Sequence, residues 1–284
     1  MLQELPHVRD DDRLFVKMQP PVSPEQMVEN MRSALSRGLK EVIPCKPAGY
    51  SLSIAAGGPS LHDTYTQLAD ATHIAAVNGS LGFLLERDII PTFCGVLDSN
   101  AHMADVVEAD PRVRYLVASN CHPALFDKLL AAGCRVWLWH TTPKSINTNA
   151  GFELLKQERP ETWFMVGGGC TIGLRWVNLG YSLGYRDFHL HGLDSSFRDD
   201  KTHAYKDRRW GQWVDDSALE IKGYKTSLNF LAQVGDAANM LERFAQKDME
   251  TCTFKVYGDG LLQSCWRHWE ANKDTLSPSE AFLC

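Results

Sequence analysis

The chain has 284 residues, 44% of them hydrophobic, with 29 basic and 35 acidic side chains and a formal net charge of −6. That length suits one large α/β domain with a sizeable core, and the acidic balance is a poor match to nucleic acid, whose phosphates need a basic surface. No apolar run approaches the roughly 20 residues of a membrane span, the polar start 1–12 lacks a signal-peptide core, and the eight cysteines include no C-x-x-C pair, so a cytoplasmic protein with reduced, buried thiols is expected.

Residues 1–22 read as irregular. Ser23-Pro24-Glu25-Gln26 then reads as a helix start, with Ser23 as N-cap and Pro24 in the first turn. Met27, Met31, Leu35 and Leu39 recur at helical spacing, predicting a helix to about Glu41. From residue 49 short apolar strands alternate with helices. Strands are predicted over 51–56, 74–78, 91–97, 114–118, 135–140, 163–166, 187–190 and 253–257. Helices are predicted from about 61, over 81–87, 103–107, 124–132, 151–157, 171–183 and 226–246. The pattern implies a Rossmann-like α/β fold, a mostly parallel sheet with helices on both faces. Three parts are expected: an N-terminal irregular segment plus helix (1–48), a nucleotide-binding domain (49–265) and a C-terminal tail (266–284). Residues 195–222 are long and polar, and read as an active-site flap.

In such a sheet, ligands bind outside the C-terminal ends of the strands. The first strand ends in Gly57-Gly58-Pro59-Ser60. Glycines admit a phosphate close to the backbone, and a helix N-terminus offers free N–H groups to it. The same residues would also serve a plain tight turn. Asn78-Gly79-Ser80, Asp98-Ser99-Asn100 and Ser119-Asn120 stand at the next three strand ends. Each alone is ordinary turn chemistry, but together they favour a site. Gly167-Gly168-Gly169-Cys170-Thr171 forms a second strand-to-helix turn that could hold a second phosphate, or a base and ribose. Asp194 follows His191-Gly192-Leu193, with Asp199, Asp200 and His203 downstream. Carboxylates at a strand end could share Mg²⁺ with a diphosphate, and an imidazole is a natural general base near neutral pH. His189 and His191 read as strand positions rather than ligands. Arg208, Arg209 and Trp210 could clamp a phosphate or a base, and read more simply as an exposed basic loop.

The order of these motifs resembles the MptE-like family, which joins archaeal hydroxymethyldihydropterin diphosphokinases and the central domain of Maf flagellin glycosyltransferases. Gly57-Gly58-Pro59-Ser60-Leu61, Asn78-Gly79-Ser80, Ile90-Pro91 leading to Asp98, Gly168-Gly169, His191-Gly192-Leu193-Asp194, Thr202-His203-Ala204 and Gly258-Asp259-Gly260-Leu261-Leu262 carry it. The Gly-Pro-Ser and Gly-Leu-Asp pattern also looks like bacterial sialyltransferases that use CMP-sialic acid. The resemblance implies a nucleotide-dependent transferase, foremost a glycosyltransferase with a CMP-type sugar donor. A Mg²⁺-dependent diphosphokinase using ATP on a hydroxymethylpterin-like alcohol is the alternative, and a non-enzymatic nucleotide-binding or assembly protein the third reading. It implies a nucleotide or nucleotide-sugar ligand held by Gly57, Gly58, Pro59, Ser60, Asn78, Ser80, Asp98, Ser119, Asn120, Gly168, Gly169 and Thr171. His203 and Asp194 would be the catalytic candidates, and Asp98 and Asp194 would bind metal under the diphosphokinase reading. A membrane partner is not expected. The acceptor stays unassigned, and a homo-oligomer stays open.

Overall fold

A computed structural model describes residues 22–141, 149–159, 164–205, 219–246 and 252–283. Helix α1 spans Pro24–Leu35. Ser23 caps it, its side chain accepting from the Gln26 N–H at 3.2 Å, and Pro24 occupies the first turn, where a missing N–H is harmless. The helix stops at Leu35 rather than near Glu41. Gly38 turns the chain at φ +62°, and Lys40–Glu41 form a short strand, β1. Leu39 still packs on the core, but from extended chain, which is why the helical repeat overran.

The other strands are β2 (Ser51–Ala55), β3 (His73–Val77), β4 (Phe93–Val96), β5 (Arg114–Ala118), β6 (Arg135–Thr141), β7 (Met165–Val166), β8 (Asp187–His191), a small hairpin β9 (Leu219–Ile221) and β10 (Tyr224–Thr226), and β11 (Thr253–Val256). Nine of them build one sheet in the order β1-β6-β5-β4-β3-β2-β8-β11, with β7 also on β6, and every pairing in it is parallel. Leu52, Ser53, Ile54 and Ala55 of β2 are all buried, as expected for a central strand covered on both faces. The fold is therefore the α/β Rossmann-like class that the alternation implied. The connecting helices are α2 (Leu61–Thr64, continued by a 3-10 turn Tyr65–Asp70), α3 (Ser80–Leu85), α4 (Met103–Val106), α5 (Pro123–Ala131), α6 (Asn149–Glu158) and α7 (Ile172–Ser182). Helices α8 (Leu228–Gln246), α9 (Leu261–Asn272) and α10 (Pro278–Leu283) follow the hairpin.

Strands β2 to β6 step outward on one side, and the chain then returns to lay β8 on the other side of β2. The strand order reverses there, so a crevice opens outside the C-terminal ends of β2 and β8. The hairpin was not foreseen within 195–222. Lys222 and Gly223 both take positive φ, +51° and +78°, the pairing a two-residue hairpin turn requires.

The N-terminal helix is stapled to the sheet. Asn30, fully buried, donates through Nδ2 to the carbonyls of Ser99 (3.3 Å) and Asn120 (3.0 Å). At the other end of the chain Trp266 is fully buried in the main core. Cys94, Cys121, Cys134 and Cys265 are buried free thiols, while Cys45 is exposed. Among the described residues no helix is long and apolar enough to cross a membrane.

Candidate functional site

The Gly57-Gly58-Pro59-Ser60 turn leaves β2 at the crevice. Its N–H groups are largely committed to the protein. Gly58 N–H donates to the Gly192 carbonyl at 2.8 Å, and Ser60 N–H donates to Asp194 Oδ2 at 2.6 Å. The Ser60 hydroxyl donates to Asp194 Oδ1, which also accepts from Gln263 Nε2 at 2.6 Å. Asp194 is 3% exposed. Its carboxyl is pushed above the ordinary aspartate value by burial, against the pull of the Ser60 and Gln263 hydrogen bonds. The Asp194 carboxylate thus binds the N–H and the hydroxyl of the N-cap residue of this short helix. Backbone closeness demands the glycines: a β-carbon on Gly58 would lie 2.6 Å from the Gly192 carbonyl oxygen, and one on Gly260 would lie 2.7 Å from the Asp194 backbone. Gln263 escaped the sequence reading, although it stands in the first turn of the helix that follows the recognised Gly258-Asp259-Gly260 run.

Gly57 and Gly79 form a floor without side chains beside this knot. The start of the expected flap lies on them. Ala204 N–H donates to the Gly57 carbonyl at 2.9 Å. A β-carbon on Gly57 would meet the His203 ring at 2.7 Å, and one on Gly79 would meet the Tyr205 ring at 2.6 Å. His203 and Tyr205 are themselves in ring contact, centroids 5.1 Å apart, and Thr202 Oγ1 lies 2.8 Å from His203 Nδ1. Gly79→Ala should therefore displace Tyr205. We expect lower turnover with little change in thermal stability, checked by kinetics beside a melting curve. A loss of stability matching the loss of turnover would refute the local effect. Further along, Asp200 pairs with Lys225 at 2.5 Å and Arg198 with Asp63. Arg208, Arg209 and Trp210 lie outside the described residues.

Asn78 ends β3 with φ +48°, a conformation asparagine tolerates better than most residues. Its Oδ1 is buried and has no partner. Ser80, fully buried, is internal: its Oγ accepts from Val77 N–H at 2.9 Å and donates to the Ala55 carbonyl at 2.7 Å. Beyond β5, Asn120 is 5% exposed. Its Nδ2 donates to the Leu97 carbonyl (3.0 Å) and Ser99 Oγ (2.8 Å). A carbonyl can only accept, so this fixes the amide's orientation and leaves Oδ1 as a buried acceptor with no partner. Ser119 is also buried. Its Oγ is 2.9 Å from His140 Nδ1, whose Nε2 is 3.2 Å from Glu41 Oε2, and Glu41 accepts in turn from Arg159 Nε at 2.7 Å. His140, then Arg159, hold the Glu41 carboxyl below its ordinary value.

The second glycine turn leads into α7. Gly168 and Gly169 take φ +79° and +71°, and the Thr171 hydroxyl caps the helix by accepting from Leu174 N–H at 3.3 Å. Beneath it Arg175, 2% exposed, donates to the carbonyls of Gly169 (2.6 Å) and Val166 (2.9 Å). Burial, opposed by Asp236, brings its guanidinium down to about 10. The strand ends bearing Asp98 and Asp194 are three strand spacings apart, about 14 Å. Asp98 Oδ1 accepts from Asn100 N–H at 2.9 Å, and both Asp194 oxygens are already hydrogen-bonded. Magnesium needs several oxygen ligands converging on one point. Asp98 and Asp194 do not provide that, and among the described residues no group of three His, Cys, Asp or Glu side chains could hold a metal.

No curated protein sequence matches the chain. Among solved structures it is similar to a Maf glycosyltransferase from Magnetospirillum magneticum AMB-1, at 13% identity and TM-score 0.56, over 86% of this chain and 39% of that one. The chain thus spans well under half of that protein. A mammalian sialyltransferase matches at 13% identity and TM-score 0.41, over 89% of this chain and 87% of that one. The family model of the 6-hydroxymethylpterin diphosphokinase MptE-like proteins matches residues 25–200, from the first turn of α1 through β8 and into the flap. That match covers more than half of the sequence, and the chain belongs to the MptE-like family.

Proposed function

We propose that the protein is a nucleotide-dependent transferase, and specifically a glycosyltransferase that takes its sugar from a nucleotide-activated donor of the CMP type. The observation that carries this reading is the unpaired Asn120 Oδ1, with Asn78 Oδ1 two strand spacings away, about 10 Å. Buried polar atoms in a native protein are almost always paired. Two orphan acceptors outside the ends of β3 and β5, with β4 between them, call for a ligand with N–H or O–H donors, which a base amino group and ribose hydroxyls supply. The absence of side chains at Gly57 and Gly79 lets the His203 and Tyr205 rings lie on the backbone at the crevice, and the N-terminus of α7 offers a positive dipole end to a ligand phosphate.

His203 stands on the glycine floor as the general base. It takes the proton of an acceptor hydroxyl. The acceptor oxygen then bonds to the donor sugar carbon as the bond from that carbon to the phosphate oxygen breaks, and the nucleotide leaves with the electron pair. In this reading Asp194, Ser60 and Ser80 shape the crevice without touching the substrate. The name of the Maf structural neighbour supports glycosyl transfer, and the family name supports diphosphate transfer from ATP as the second reading.

A thermal-shift panel of CMP, CDP, UDP, GDP, ADP and ATP, with and without Mg²⁺, tests the proposal. A native-state ligand at a hundredfold excess over its Kd stabilises by about 2.7 kcal/mol. A metal-independent shift with CMP is the expected result. A shift with ATP only in the presence of Mg²⁺ would move the assignment to diphosphate transfer, and no shift with any of them would leave a non-enzymatic assembly role. With a donor in hand, His203→Gln should lower kcat about a hundredfold while keeping the nucleotide-induced shift. Wild-type turnover in that variant would remove His203 from catalysis.

A further inference from the structure

The opposite end of the sheet carries a second feature that the transferase reading does not use. Lys40, Arg114 and Arg135 are the first residues of β1, β5 and β6. Every pairing in the nine-stranded sheet is parallel, so these three lie at its N-terminal edge, a strand length of about 15–20 Å from the crevice. The register puts them on one face. Lys40 is opposite Trp137, Arg114 is opposite Arg135, and Phe93 is opposite Arg114, while Arg135 and Trp137 are two residues apart on one strand.

Like charges directly opposite on neighbouring strands repel, yet Arg114 and Arg135 are so placed. None of the three cations forms an ion pair among the described residues. The Arg114 guanidinium lies over the Trp137 ring at 4.7 Å and the Phe93 ring at 5.8 Å, and its Nε is buried without a hydrogen-bond partner. Lys40, Arg114, Arg135 and Trp137, with Gly38, Leu39 and Val136, line an open groove of 430 Å³. That volume is in the range of small-molecule sites, which run from about 300 to 1,000 Å³. The chain as a whole is acidic, at −6, so a cluster of three cations with no carboxylate among the described residues that line it is not a consequence of composition.

We infer that this open groove is a second ligand site, for a small polyanion bearing a phosphate or several carboxylates, separate from the nucleotide crevice. Lys40 and Arg135 are exposed and engage the anion from the rim. Arg114 is held by its two aromatic neighbours at the floor.

Isothermal titration of the full chain with pyrophosphate, and separately with citrate, tests this. Metal is omitted so that the probes stay fully charged. We expect saturable binding that weakens at least about tenfold in the double variant Lys40→Gln/Arg135→Gln and is unchanged in Gly79→Ala, whose substitution falls in the crevice. Both rim residues are solvent-exposed, so the double variant should melt with the wild type. Preference for one probe identifies phosphate or carboxylate as the natural chemistry. Binding that survives the double variant but is lost in Gly79→Ala would place the anion in the crevice and overturn the second site. No saturation up to about 10 mM of either probe would overturn it as well.

Discussion

Asp194→Ala should lower the stability of the whole protein by about 3–5 kcal/mol, because it orphans three buried hydrogen-bond donors at about 1–3 kcal/mol each. In a chain of this size that corresponds to a fall in melting temperature of roughly 5–8 °C. The reason is local. Alanine would leave the Ser60 N–H, the Ser60 hydroxyl and the Gln263 amide without their acceptor, all in a spot closed to water. Asp194→Asn should lose less, because one oxygen still faces Ser60 while the new amide opposes the Gln263 donor. Differential scanning calorimetry of the three proteins checks the order. A catalytic or metal-binding aspartate open to the crevice would behave otherwise, losing turnover at an unchanged melting temperature, and that outcome would sink the clamp.

Acid should destabilise the protein from pH 6.5 downward, well before most carboxylates titrate, and His191 should be the cause. It is fully buried at the end of β8, both ring nitrogens lack partners, and it stacks on Tyr257 with centroids 4.2 Å apart. Burial, with neighbouring His189 adding to it, takes its imidazole from 6.5 to about 3. Between those values the unfolded chain takes up a proton that the folded one refuses, so stability present above pH 6.5 is lost as pH falls. The loss approaches about 1.4 kcal/mol per pH unit, giving about 2 kcal/mol by pH 5 and about 5 kcal/mol by pH 3. Asp194 and Glu270, raised by burial, act with the opposite sign, while Glu41 and Asp110, lowered by their partners, add to the loss below their ordinary values. The comparison with His191→Phe isolates the histidine. Phenylalanine keeps the stack on Tyr257 and removes two unpartnered nitrogens, so urea midpoints at pH 7 and pH 5 should converge in the variant and differ in the wild type. An equal pH dependence in both would exclude His191.

The sequence made the sheet legible because each strand is short, apolar and bounded by its own turn residues, and a parallel sheet leaves few alternatives once strands alternate with helices. Its errors came where one residue pattern serves two structures. Leu39 kept the spacing of Met27, Met31 and Leu35 and drew the helix across what is in fact β1. The hairpin turn at Lys222-Gly223 was visible as a glycine flanked by short alternating segments, but the charged run before it read as one long flap.

At the site, the strand-end residues were found from where the fold places its crevice, but not their partners. Ser60, Ser80, Ser119 and Asp194 are polar residues at strand ends, as a ligand would want. Their partners (Gln263, the Ala55 carbonyl, His140) come from elsewhere in the chain, and no local pattern announces that they face inward. Asn30 left a signal that went unread. It is a polar residue on the buried stripe of α1, one turn from Met27, and it has carbonyls to satisfy across the sheet edge. Tyr205 had a weaker one, an aromatic two residues beyond His203 in an otherwise polar run.

The knot around Asp194 has a bearing on the order in which the molecule is made. Ser60 and Asp194 are 134 residues apart, and Ser60 and Gln263 are 203 apart. Contacts that distant close slowly and late. During synthesis β2 through β8 emerge and can pair while the segment carrying β11, Gly258 and Gln263 is still to come. Until it arrives, β8 is a bare sheet edge and the Asp194 carboxylate has only Ser60 to satisfy it. A nascent or truncated chain lacking that segment would therefore expose a strand edge able to pair with another copy, so the stretch from β11 to Gln263 both completes the crevice and closes the sheet against self-association.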